Sequence, residues 1–87
     1  MHELSIALSL IDAVCEELPR LGDHVAVRSI RIRIGRQSGV AAEALAFAFD
    51  VAVADSPIPG ARLDIEQTDA TELEVTALEV IDAPADR

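Results

Sequence analysis

An α+β fold with element order α-β-α-β-β follows from three features of this 87-residue chain. Two segments repeat apolar residues at spacings of three and four, the period of a helix with one dry face. Three others alternate apolar and polar residues, the period of a strand. Gly- and Pro-bearing stretches separate them. The expected architecture is two amphipathic helices on one face of a three-stranded mixed sheet, a single domain over residues 1–82 with a frayed tail at 83–87.

The first helix is expected over residues 3–18, "ELSIALSLIDAVCEEL". Leu4, Ala7, Leu8, Ile11, Val14, Cys15 and Leu18 form its apolar stripe, and Glu3 complements the dipole of the first turn. Pro19 should end it, and "RLGDH" reads as a loop. Residues 25–35, "VAVRSIRIRIG", switch to period two, with Ile30, Ile32 and Ile34 on one side and Ser29, Arg31 and Arg33 on the other. "GRQSG" is a turn with glycine at both ends. A second helix is expected over 41–55, with Ala44, Phe47, Ala48 and Val51 as one stripe and Leu45, Phe49 and Ala52 beside it. "SPIPG" cannot continue it.

Residues 61–67 form the second strand, with Leu63 and Ile65 inward, and 72–81 the third. A change of parity between Val75 and Leu78 predicts a bulge near Thr76–Ala77. Strands 1 and 2, joined through a helix, should be parallel; strand 3 should run antiparallel. Its place is open. The short "TDAT" connection favours a hairpin with strand 2. Charge favours the far side of strand 1, where Arg31 and Arg33 would lie between Asp64 and Glu66 on one side and Glu72 and Glu74 on the other.

Composition narrows the function. Seven arginines, no lysine and sixteen acids leave a net charge of −9, which repels phosphate backbones and argues against nucleic-acid binding. The acidic surface suits cations or basic partners. One cysteine cannot make an internal disulfide, no apolar run is long enough to span a membrane, and no basic-then-apolar leader opens the chain, so the expected location is the cytoplasm. Cys15 sits on the apolar stripe near the C-terminal end of its helix, where the dipole opposes a thiolate, and His24 lies in a polar loop. No catalytic motif is present, so the chain is expected not to be an enzyme. The arginines at 28, 31, 33 and 36 read as a strand face paired with acidic neighbours rather than an anion site.

The opening "MHE" has one chemical possibility beyond a ragged helix start. The Met1 amine and the His2 backbone nitrogen can close a five-membered chelate, and the His2 amide with its own Nδ1 a six-membered one. Glu3 can add a fourth donor through its amide nitrogen or its carboxylate. Nitrogen donors in a plane suit square-planar Ni(II) or Cu(II) better than tetrahedral zinc.

The stretches "MHELSIALSLIDAV", "RIRIG" with "RQSGV", "EALAFAFDV", "IPGARLDIE" and "ELEVTALEV" together resemble, in order, the nickel-binding domain of the hydrogenase nickel-incorporation proteins, the HypA/HybF family. The resemblance implies a nickel metallochaperone that loads [NiFe]-hydrogenase, and in some organisms helps urease, with a GTPase and the hydrogenase large subunit as partners. It implies that Met1, His2 and Glu3 are the Ni(II) ligands.

Two departures stand out. The family carries a zinc module built on paired CxxC motifs between its last two strands, where this chain has only "TDAT"; no zinc is expected, whether the module was lost in evolution or excised. Arg36 stands where the family usually has an acid. An alternative reading is a zinc-less paralogue that serves as a metal-free partner-binding or regulatory module. The expected state is a monomer, or a dimer formed by edge pairing or by swapping the last strand.

Overall fold

The computed structural model describes residues 2–22 and 24–82. Met1 and the tail expected to fray at 83–87 lie outside the described residues. The elements are α1 (Glu3–Leu21), β1 (Val25–Gly35), α2 (Ala42–Val53), β2 (Arg62–Thr68) and β3 (Leu73–Asp82), in the expected order.

Helix α1 runs through Pro19, three residues past its expected stop at Leu18. The fixed φ of proline is itself helical, so in the last turn proline forfeits a hydrogen bond without having to break the chain direction. The stop comes from Gly22, whose φ of 116° is open to glycine and strained for other residues. Helix α2 begins at Ala42 and ends at Val53, inside the expected 41–55.

The sheet order is β2-β1-β3, which resolves the question of the third strand. β1 is central, parallel to β2 and antiparallel to β3. The register puts Arg31 opposite Asp64 and Arg33 opposite both Glu66 and Glu74. The Arg33 guanidinium reaches Glu66 at 3.5 Å and Glu74 at 3.3 Å, so one cation on the central strand faces an acid on each neighbour. A β2–β3 hairpin would have set those acids against each other.

Two bulges adjust the strands. Thr76 is skipped between the pairs Arg31–Ala77 and Ile32–Val75, at the expected place. Arg28 is skipped between Val27–Val80 and Ser29–Glu79. Strict alternation from Ile30 would send Arg28 inward. The bulge leaves Arg28 exposed and buries Val27 with Ile30, Ile32 and Ile34.

The core is aliphatic apart from Phe49: Ala7, Ile11 and Val14 from α1, Leu45, Phe49 and Val53 from α2, and the β1 isoleucines. Leu45, Phe49 and Val53 carry the dry face of α2, while Phe47 is 73% exposed and Val51 also faces solvent. The all-round apolar character of this helix hid which stripe is inward. Leu4 and Leu8 of the expected α1 stripe are likewise exposed, because the contact with the core is centred on Ala7 and Ile11.

The connection Asp69–Glu72 crosses the end of β1 to reach the far side of the sheet. Gly35 makes the crossing possible: a Cβ there would overlap the Ala70 carbonyl. The crossing chain is held by hydrogen bonds donated from Gly35 N–H to the Glu72 carbonyl (2.7 Å), Arg36 N–H to that of Thr68 (2.9 Å) and Gln37 N–H to that of Ala70 (3.0 Å). Among the described residues no non-glycine residue has positive φ, so the tight link carries no strain of that kind.

Candidate metal centre

His2 is the residue that starts α1. Its φ and ψ of −93° and 87° are not helical, and its carbonyl accepts the first helical hydrogen bond, from Ile6 N–H at 3.2 Å. Its imidazole makes no capping bond and the residue is exposed. The first four N–H groups of a helix have no partner within its ladder, so the Glu3 amide can take part in other bonding without unravelling a turn.

Glu3 makes a contact that the sequence did not reveal. Its Oε2 accepts a hydrogen bond from Ala41 N–H at 3.3 Å. Ala41 is the N-cap of α2 and has no side-chain oxygen with which to cap it. Glu3 therefore supplies, from α1, an acceptor for the N-cap amide, the bond that a Glu or Gln at the third helical position makes in a capping box and that Ala44 cannot. Hydrogen bonds from its own N–H and from Ala41, with a smaller contribution from nearby positive charge including His2, hold the Glu3 carboxyl below its ordinary value.

The starts of both helices, the turn after β1 and the β2–β3 link meet at one end of the molecule. Glu3 joins α1 to α2 there, and Arg36 joins the turn to the link by donating from Nη1 to Asp69 Oδ1 at 2.8 Å. Arg36 is thus a cation that meets an acid of the short link. The pair is exposed and worth roughly 0–1 kcal/mol. Thr68 Oγ1 donates to Glu72 at 2.6 Å, and that bond chiefly holds the Glu72 carboxyl low.

Of the proposed ligands, the structure describes His2 and Glu3 as neighbours at the start of α1; Met1 lies outside the described residues. His24 stands beyond the far end of α1, which at 19 residues is about 28 Å long, and does not join them. Among the described residues no group of three or more His, Cys, Asp and Glu is arranged to hold a metal. The chain has a single cysteine, and Asp69–Glu72 contains no thiol or imidazole. Cys15 is half-buried, and burial, then Asp12, push its thiol up, which disfavours a thiolate. No helix is long and apolar enough to cross a membrane.

Comparison with known proteins agrees with this architecture. The family model described as "Hydrogenase/urease nickel incorporation, metallochaperone, hypA" matches residues 1–79. The chain is 42% identical over 67 residues to the hydrogenase maturation factor HypA of Streptomyces avermitilis, covering 77% of this chain and 51% of that protein. It is 46% identical over 70 residues to that of Chlorobaculum parvum, covering 80% and 61%. The chain thus spans about half to three fifths of the length of these relatives. A solution structure of the Ni metallochaperone HypA from Helicobacter pylori superposes with a TM-score of 0.65 at 26% identity, covering 88% of this chain and 72% of the other. The chain belongs to the HypA family of hydrogenase and urease nickel-incorporation metallochaperones.

Proposed function

We propose that this chain is a nickel carrier that binds Ni(II) through Met1, His2 and Glu3, for maturation of [NiFe]-hydrogenase and in some settings of urease. The observation that carries this reading is the family match, which runs across residues 1–79 and so includes the three proposed ligands. The chemistry supports it: an amine, one or two amide nitrogens and an imidazole make a strong-field planar set, and a chelate on a chain end can release its ion one donor at a time. If the fourth donor is the Glu3 carboxylate, loading engages a group whose Oε2 already accepts from Ala41; if it is the Glu3 amide nitrogen, the carboxylate keeps that bond alone. The expected partners are a hydrogenase-maturation GTPase and the hydrogenase large subunit.

The ligands must be deprotonated, including an α-amine with an ordinary pKa of about 7.7–8.0, so affinity should fall as pH falls. Calorimetry with Ni(II) should give one site per chain and a yellow, diamagnetic complex. His2→Ala should abolish it, and a short extension before Met1 should weaken it severely. Equal binding by the extended form would overturn the terminal-amine chelate.

The single cysteine favours a second reading, a metal-free module that binds partners without delivering nickel. It requires no specific nickel site but retained capture of the GTPase. Pull-down of the GTPase with and without Ni(II), alongside the calorimetry, separates the two.

A further inference from the structure

β3 is a ten-residue edge strand that pairs with β1 on one side and, among the described residues, with nothing on the other. Its helix-facing residues Leu73, Val75 and Val80 pair with the buried Ile34, Ile32 and Val27, yet Leu73 and Val75 are 40% and 42% exposed. They are exposed because α1 stands off from β3. Between the two lies an open groove of about 370 Å³, lined by Ile6, Leu10 and Ala13 from α1 and Leu73 and Val75 from β3. A second depression past Ala13, Val75 and Leu78 continues it toward Glu17. β3 is long for an edge strand and lacks lysine and proline; its edge is marked instead by acids and by the Thr76 bulge.

Charge identifies what fits there. From Glu72 to Asp82 every charged residue is acidic, and α1 has no basic residue before Arg20. A second copy pairing β3 against β3 would place Glu74, Glu79 and Asp82 of one chain beside those of another, between molecules of net charge −9. The fold shows what does pair with β3. β1 turns isoleucines inward and Arg31 and Arg33 outward, and Arg33 meets Glu74. We propose that the free edge of β3, with the groove beside α1, is a docking site for an extended segment of a partner protein that alternates apolar and basic side chains. Its backbone pairs with β3, its apolar side chains enter the groove, and its basic ones meet the acids on the open face.

A fluorescein-labelled peptide of alternating isoleucine and arginine, titrated with the intact chain, tests this. Its counterpart with glutamate at every arginine position is the control. The first should bind saturably and more weakly as salt rises; the second should not bind. Leu73→Asp and Val75→Asp should each weaken binding roughly tenfold, while Phe47→Asp, on the outer side of α2, should leave it unchanged. If either β3 variant fails to fold, hydrogen exchange on the unmodified chain decides instead: peptide should protect β3 amides and not those of β2. Equal binding of both peptides, insensitivity to both β3 changes, protection outside β3, or a chain dimer held through β3 in light scattering would each overturn the proposal.

Discussion

The two edges of the sheet are built from similar alternating sequences and end in different environments. β2 lies under α2, and its inward Leu63 and Ile65 are half-buried against the core. β3 presents Leu73, Val75, Leu78 and Val80 to the same side of the sheet; Leu78 is half-buried against the core, and the other three are exposed. The difference is not in the strands. α2 contacts both α1 and β2, whereas α1 leans toward α2 and leaves β3 open. Alternation reports which side of a strand is apolar; a helix overhead decides whether that side is dry.

Substitutions can break this comparison, beginning with the strand both edges share. Ile32 is fully buried between Ile65 and Val75, so Ile32→Ala should cost about 2–5 kcal/mol by urea denaturation and destabilise both edges together. The edges themselves should then diverge. Ile65→Ala should cost about 1–2 kcal/mol, since a half-buried side chain forfeits part of a full transfer energy, and Val75→Ala less than about 1 kcal/mol. Equal losses would mean that β3 is covered in solution. Arg33→Ala removes an ion pair to each edge at once; both are solvent-screened, so the loss should stay within about 1 kcal/mol and shrink with added salt.

The smallest effect concerns the hydrogen bond from Ala41 to Glu3 that links the two helices. The Glu3 carboxyl is held low in the folded chain, so its contribution is complete above its unfolded value and fades as the pH falls through the folded one, below the ordinary 4.5. The protection of the Ala41 amide, its exchange rate taken relative to the intrinsic rate at each pH, should therefore fall as the solution is acidified. In Glu3→Gln that acid-dependent step should disappear. An unchanged pH profile in the variant would show that Glu3 does not cap α2.

Much of the molecule was legible without coordinates. The periods of 3.6 and 2 assigned all five elements, because side-chain direction follows backbone geometry. The bulge at Thr76 showed as a break in parity, and the cross-strand charges already favoured a central β1. Met1, His2 and Glu3 could be proposed as ligands from the sequence because chelate rings are set by neighbouring atoms along one chain. What lay beyond reach depended on contacts between distant segments. The stripe of α2 that turns inward, the exposure of Phe47 and the open groove beside β3 follow from how the helices lean, and an all-round apolar helix leaves that undetermined. Glu3 capping Ala41 joins residues 38 positions apart, and Ala70 passing over Gly35 joins residues 35 positions apart. Local patterns decide which elements form and which of their sides are apolar; where two elements touch is a property of the packed whole, settled by shape and by which polar groups still lack a partner.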